Sequence, residues 1–507
     1  MTYIMLSKNV RVFKLYFKQF FTTSLTFLLL ALGACSTNPA TGKKSFTAFM
    51  SIEKEKEVGA REHPRIVERF GGIYRDDKLN LYVSRIGSKL VKFSELPDLK
   101  YTFTILNDEK VNAFALPGGY IYVTRGLLAI VGNEAEMAGV LAHEIAHITA
   151  RHSSQRYSVT KAKNIGLRVL GVVGSIAGAP TGASQLATLG GEVALKSYSR
   201  EQELEADMLA LRYLSRAGYD PSALTSFFYQ LKAHKELLAS MKGQKSQFKY
   251  FDFLSTHPLT TQRIAKARRI VSQTVFTEKE KGKDAYARAI NGLIFGDDPN
   301  QGIRRGRIFE HPAIGIRFKV PPGFTMFNTP ERLTAKSNDG SIIFFDVGPK
   351  NKIYKLGSIA NYVRAIRFKG YKFQNLKNVE INGMNGVTAI ARVIRNGKQH
   401  NVHLLVIKKN KNQIFRLLFE TSGRNTNLAT QNFMRTMRSF RRLSQKEIFD
   451  IKPLRIRFKA VSIGDSVETL AQDMPIEGFG LEWFELLNKT KRGTPLEAGQ
   501  HVRIITK

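Results

Sequence analysis

Apolar and polar positions recur along this chain with two different periods, and the period changes where the chemistry changes. Between Asn133 and Ile148 the apolar residues Met137, Val140, Leu141, Ile145 and Ile148 follow helical spacing, behind an Asn133 cap with Glu136 as its capping-box partner. A half-buried helix is expected there. A second helical pattern runs through Leu204, Leu209 and Leu211, opened by the acidic stretch from Ser199 to Asp207. Upstream, Asn112 to Val123 alternates around Pro117-Gly118-Gly119 and predicts a strand, a turn and a strand. Ile165 to Leu195 is apolar, rich in Gly and Ala, and broken by Pro180. Its uninterrupted runs are too short for a membrane span, so a surface helical hairpin is expected.

Beyond residue 310 the period shortens to two. Gly315 to Val320, Ser341 to Val347, Val387 to Val393, His400 to Ile407 and Gln413 to Phe419 are short β-rich runs, and a helical pattern follows from Leu428 to Phe440. An α+β domain on an antiparallel sheet is expected over 310–446, after a charged linker at 276–309. The last segment, 451–507, predicts strand, two helices and strand, with Asp465 and Glu468 capping the first helix and Gly499-Gln500 turning into the closing strand. The 507 residues thus exceed one core.

Charge alters this picture in one place. The chain carries net +36, and between Glu310 and Lys446 there are 25 Lys and Arg against 6 Asp and Glu, a surplus of 19. More than half of the excess sits on the sheet domain, which points to an anionic partner such as lipid headgroups, lipopolysaccharide, acidic wall polymer or an acidic protein surface.

Candidate chemistry is concentrated at His143-Glu144-Ile145-Ala146-His147. Residues four apart lie about 40° apart on a helix, so both imidazoles reach one metal ion, and Glu144 projects beside them as a general base. From Ile148 through Gly191 there is no Asp or Glu, which excludes an acidic ligand close behind the motif. Ala150 and Ser153 stand where a third-histidine pattern requires Gly and His. The first acids available are in the Ser199–Asp207 cluster, where Glu203 and Asp207 share a face and Glu205 lies about 200° away from Glu203. Glu203 is therefore expected as the third ligand and Asp207 as the carboxylate that fixes a ligand histidine. Glu201 and Glu205 are expected to be solvated charges.

These residues resemble a known family. Asn112 to Gly126, then HEIAH with Arg151-His152, then Ser-Arg-x-x-Glu-x-x-Ala-Asp over Ser199 to Asp207, is similar to the gluzincin zinc metallopeptidase family of HtpX, BepA and the CaaX prenyl endopeptidase. The resemblance covers roughly Ser51 to Val271. It implies a mainly α zincin-type metallopeptidase domain (51–275), one Zn2+ held by His143, His147 and Glu203, and Glu144 as catalytic base. Thr256-His257-Pro258 with Arg263 matches the family's His-Pro loop, which leaves His257 two roles: stabilising the oxyanion, or occupying the open position on zinc and holding the enzyme latent. The hairpin edge before the active helix would bind extended substrate through its main chain. Residues 455–507 resemble a lysin motif (LysM), which implies peptidoglycan as a ligand. No helical repeat is visible in the sequence.

The single cysteine, Cys35, excludes an internal disulfide. Lys8, Arg11, Lys14 and Lys18 precede an apolar run from Phe20 to Leu32 and the sequence Leu32-Gly33-Ala34-Cys35. Residues 1–34 are therefore expected to be a lipoprotein signal peptide, Cys35 the lipidated residue, and 35–50 a polar tether to the membrane. Ser36 after the cysteine suggests the outer membrane. The expected protein is a lipid-anchored metalloendopeptidase facing the periplasm and working on unfolded or misfolded envelope proteins. Nucleic acid would answer the positive charge, but an exported lipoprotein is not expected to meet it. The rival is a wall-binding adaptor or holdase with a silent metal site, against which the intact Glu144 argues.

Overall fold

The structure, a computed structural model, describes residues 35–169, 197–242, 253–273, 280–348, 357–365, 371–395, 397–410, 413–422 and 426–507. The expected signal peptide, and all but residues 165–169 of the helical hairpin expected from Ile165 to Leu195, lie outside the described residues. No described helix is long and apolar enough to cross a membrane.

The N-terminal hairpin β1 (Cys35–Thr37) and β2 (Lys44–Phe46) precedes helices α1 (Ile52–Arg69) and α2 (Asp77–Val91). A small sheet follows, β3 (Thr102–Leu106), β4 (Ala113–Leu116) and β5 (Tyr120–Thr124), in the order β3-β5-β4. The expected strand, turn and strand are β4 and β5, paired Ala113 to Val123, with Gly118 and Gly119 at φ 82 and 95 in the turn. Gly119 is required because a Cβ there would meet the Lys100 carbonyl at 2.3 Å. Next come α3 (Arg125–Ile130), α4 (Glu134–Thr149), α5 (His152–Val169), α6 (Arg200–Arg216), α7 (Ser222–Lys242), α8 (Phe253–Thr256), α9 (Thr261–Ser272) and α10 (Lys283–Ile290).

Helix α4 is the centre of the fold. The Asn133 side chain caps it by accepting from the Glu136 N–H at 2.9 Å. Glu136 does not complete the box at Asn133. It accepts instead from Gly132 N–H at 2.8 Å and from Ser226 at 2.7 Å, and pairs with Lys489. The helix is also more enclosed than its apolar stripe predicts, because all 16 of its residues are buried. Its polar side faces other protein groups rather than water.

Residues 35–50 are not a free tether. Asn38, Ala40, Thr47 and Met50 are buried, Phe49 N–H donates to Ser158 Oγ at 3.3 Å, and Arg151 donates to Ser36 Oγ at 3.1 Å and to the Met50 carbonyl at 2.6 Å. The polar side chains that suggested solvent serve as anchors.

Residues 276–309 are likewise no linker. Tyr286 and Ile290 of α10 are buried, β6 (Ile294–Phe295) pairs with the C-terminal segment, and Asp298 accepts from Asn107 at 2.8 Å. Arg304 bridges Asp297 and Glu109 at 2.9 and 2.6 Å. Among the charges that suggested a solvated connector, Asp297, Asp298 and Arg304 have partners inside the fold.

β7 (Ile303–Arg305), β8 (Ile308–His311), β9 (Ile316–Lys319) and β17 (Arg441–Arg442) form one antiparallel sheet. β10 (Phe324–Asn328), β11 (Leu333–Ser337), β12 (Ile342–Val347), β13 (Gln374–Ile381), β14 (Met384–Arg395), β15 (Lys398–Lys408) and β16 (Ile414–Ser422) form a seven-stranded one in the order β10-β11-β12-β16-β15-β14-β13. Alternation puts Leu405, Ile407, Leu417 and Phe419 on one face, with Phe433 and Met437 of α12 (Thr426–Ser439). Leu404, Val406 and Leu418 take the other face, with Tyr362 and Val363 of α11 (Ile359–Ala365). This large antiparallel region keeps two cores of its own.

After α13 (Gln445–Asp450), β18 (Leu454–Ala460), α14 (Val467–Gln472), α15 (Gly480–Asn488) and β19 (His501–Thr506) give the expected strand, helix, helix, strand order. The segment is not a separate core. Ile456, Val467, Phe484 and Ile505 belong to the same buried cluster as Leu128 of α3 and Val140 and Leu141 of α4. Arg503 is buried and donates to the carbonyls of Ala129 and Val131, both at 2.9 Å.

Candidate metal centre

Helix α4 turns His143 and His147 to one side, as four-residue spacing requires, and α6 crosses it with Glu203. His143 Nε2 and His147 Nε2 are 3.1 Å apart, and they lie 3.4 and 3.5 Å from the Glu203 carboxylate. His257 enters from the loop after α8, with Nδ1 at 3.2 Å from His143 Nε2 and 3.0 Å from Glu203 Oε1. Four zinc ligands at bond lengths near 2.0–2.2 Å sit about 3.3–3.6 Å from one another in a tetrahedron. The observed separations of 3.0–3.5 Å lie within about 0.3 Å of that range, so the donor set of three imidazoles and a carboxylate fits zinc.

The groups behind these ligands are ordered. His143 Nδ1 lies 3.1 Å from Asp207 Oδ1, and Asp207 is gripped by the Arg263 guanidinium through two bonds of 2.7 Å. Arg263 also reaches Glu203 Oε2 at 2.5 Å and the Pro258 carbonyl at 3.1 Å. His147 Nδ1 meets His152 Nδ1 at 2.8 Å, and His152 Nε2 meets Glu205 Oε2 at 2.9 Å. Tyr198 stacks on His147 with ring centroids 3.6 Å apart, and the Arg156 guanidinium lies 3.6 Å above the Tyr198 ring.

Two buried carboxyls here are pulled in opposite directions. Burial opposes the charge on Glu203, but His257 and Arg263, with bonds from His143 and His147, hold its carboxyl well below the usual range. Burial pushes the Glu144 carboxyl up, with His257 and His143 only partly offsetting it. Neither Glu144 oxygen makes a hydrogen bond among the described residues, and the nearer one is 3.4 Å from His257 Nε2. One carboxylate is fixed in charge, as a ligand must be, and the other is left free to exchange a proton.

The structure therefore brings together His143, Glu144, His147, Glu203, Asp207 and His257. The backbone of Cys35 lies apart from them in β1, paired with Phe46. Three contributions escaped the sequence reading. Glu205 does point away from Glu203, but its direction leads to His152 on α5 and not to solvent. Arg263 was visible only as part of a matched loop, and Tyr198 carried no signal. The Arg151-His152 pair directly behind the motif was the available clue.

Residues 77–271 match the sequence family described as Peptidase family M48. A mitochondrial metalloendopeptidase, OMA1 of Schizosaccharomyces pombe, is 30% identical over 45% of this chain and 64% of its own length. A putative beta-barrel assembly-enhancing protease of Vibrio cholerae is 33% identical over 43% of this chain and 44% of its own. The beta-barrel assembly-enhancing protease of Escherichia coli strain K12 is 28% identical over 47% and 48%. The chain thus spans between 44% and 64% of the length of these relatives.

Proposed function

We propose that this chain, a member of peptidase family M48 through residues 77–271, is a zinc metalloendopeptidase that cleaves unfolded or misfolded proteins of the bacterial cell envelope. The observation that carries the reading is the buried Glu144 carboxyl, with no hydrogen bond among the described residues, beside converging His143, His147 and Glu203. Zinc, when held by those three residues, supplies a Lewis acid that polarises a scissile carbonyl and acidifies water. Glu144 takes the proton of the attacking water and returns it to the leaving amide nitrogen. Arg263 keeps Glu203 charged and Asp207 in place, and Asp207 holds the His143 ring. β4 has β5 on one side and no strand on the other among the described residues, and its four residues are buried, so an extended peptide would pair with its main chain only after the chain covering that edge opens. Recognition through main chain suits substrates that share only the lack of a fold.

His257 Nδ1, within 3.2 Å of His143 Nε2 and Glu203 Oε1, supports the second of its two expected roles, occupancy of the fourth position. This arrangement is latent, and the His-Pro loop must withdraw before a substrate carbonyl enters. Lipid on Cys35 anchors the protein to a membrane facing the periplasm, and residues 455–507 bind peptidoglycan.

Cleavage of unfolded casein by wild type and Glu144→Gln tests the mechanism. A loss of 10²–10⁴-fold is expected for a general base, and zinc-dependent cleavage that survives the change would sink the assignment. Cys35→Ser should release the protein from the membrane fraction, and continued retention contradicts the anchor. Full-length protein should sediment with purified peptidoglycan, and its absence from the pellet overturns the glycan reading.

A further inference from the structure

The two ligand histidines of α4 are supported in different ways. His143 has Asp207 directly behind its Nδ1, at 3.1 Å. His147 has another histidine there, His152 Nδ1 at 2.8 Å, and no carboxylate until Glu205 Oε2, 2.9 Å beyond His152 Nε2. We propose that Glu205, acting through His152, selects the metal-binding tautomer of His147, which makes the pair a positioning device reaching from the protein surface to the metal site. The proposal rests on the reading of His147 as a zinc ligand.

The proton arrangement follows from the donors and acceptors. A carboxylate only accepts, so His152 Nε2 must carry a hydrogen and donate it to Glu205. A neutral His152 then presents a bare Nδ1, which accepts the Nδ1–H of His147. That leaves the His147 Nε2 lone pair directed at the cluster, where Glu203 Oε1 is 3.5 Å away. The opposite arrangement would place the hydrogen of His147 on Nε2, where it blocks coordination. Without Glu205 nothing in this chain of bonds prefers one arrangement over the other.

The backbone is shaped to make this contact. Residues five apart on a continuous helix point about 140° away from each other, so His152 could not face His147 if α4 simply ran on. It stops at Thr149, and Arg151 adopts φ 56 before α5 begins at His152. A left-handed arginine costs about 1 kcal/mol. Its side chain is held by Glu55 at 2.8 Å and by the Met50 carbonyl at 2.6 Å. The kink swings His152 back against His147.

The outer end is accessible. The His152 side chain is fully buried, whereas that of Glu205 is 16% exposed and lines a groove of about 730 Å³ with Lys43, Gln155 and Gln202. Glu205 can therefore be replaced without opening the core.

The test is zinc affinity of the full-length protein by chelator competition, with the melting temperature of the zinc-free protein as control. Glu205→Ala should weaken zinc binding by 10-fold or more, in the range seen when groups behind a ligand are removed. Glu205→Lys, which donates to His152 Nε2 and so imposes the wrong tautomer, should weaken it further. Neither should shift the zinc-free melt by more than a few degrees. Imidazole nitrogen shifts of His147 should report Nδ1–H in wild type and a mixture in Glu205→Ala. Equal zinc affinity of wild type and Glu205→Ala, Glu205→Lys no worse than Glu205→Ala, or Nε2–H on His147 in wild type overturns the proposal. If wild type binds no zinc at all, the metallopeptidase reading itself falls.

Discussion

The antiparallel sheet region and the C-terminal segment are neighbours in sequence and opposites in construction. The sheet region packs two cores of its own, one on each face of its seven strands. The C-terminal segment packs its buried side chains into the cluster that encloses the active helix. Leu454 pairs with Phe295 and Arg455 with Ile294, so the chain leaves the peptidase at β6 and re-enters it beside the same point at β18. The sheet region is an insertion between a body and its last piece. A boundary drawn where composition changes therefore differs from one drawn where cores end.

The largest test of this contrast is deletion of the residues after Pro453. It strips Ile456, Phe484 and Ile505 from the peptidase cluster and leaves the α3–α4 carbonyls without Arg503. The expected outcome is loss of the cooperative melt and of zinc binding, and a folded, zinc-binding remnant would show the segment to be separable. Next come two arginines. Arg263→Ala leaves Glu203 and Asp207 buried without their cation and should cost about 3–5 kcal/mol in chemical denaturation. Arg416→Ala in the sheet region removes a partly exposed pair with Asp346 and should cost about 1 kcal/mol. Equal costs would break the distinction between the two interiors.

A smaller effect is expected from acid. Burial, with Lys409 nearby, pushes His311 down to about 4. The unfolded chain protonates first, so stability from a neutral His311 is complete above about 6.5 and is lost as pH falls toward about 4. The sheet region's melting temperature should drop by several degrees between pH 7 and pH 5, and a pH-independent melt would contradict the shift. The smallest effect belongs to excision of residues 306–452, with residues 305 and 453 joined by a short glycine loop, which keeps Arg304 on Asp297 and Glu109. The β6–β18 pairing already brings the ends together, so zinc affinity and the peptidase melt should persist.

Much of the site was legible because a helix converts spacing into direction. HEIAH and the acid-free stretch behind it led to Glu203 and Asp207 with no knowledge of their neighbours. The same arithmetic misjudged Glu205, since an angle within one helix says nothing about what the next helix places there. In the sheet region β12, β14, β15, β16 and α12 were visible from apolar runs, whereas β10, β11 and β13 carry Thr, Asn and Lys at too many positions to stand out. The hairpin over residues 35–46 was missed for a related reason: small polar residues suit a turn in solvent and a pinned loop equally well. Arg503 looked like one more surface cation in a chain of 78 Lys and Arg. Only the surrounding fold shows that its guanidinium is an internal strut.

That strut sets an order in time. A ribosome makes residue 129 well before residue 503, and a contact spanning 374 positions closes only once residue 503 has been made. The wall that steadies the HEIAH helix arrives after the helix itself. The HEIAH helix is therefore made long before the arginine that braces the turn leading into it.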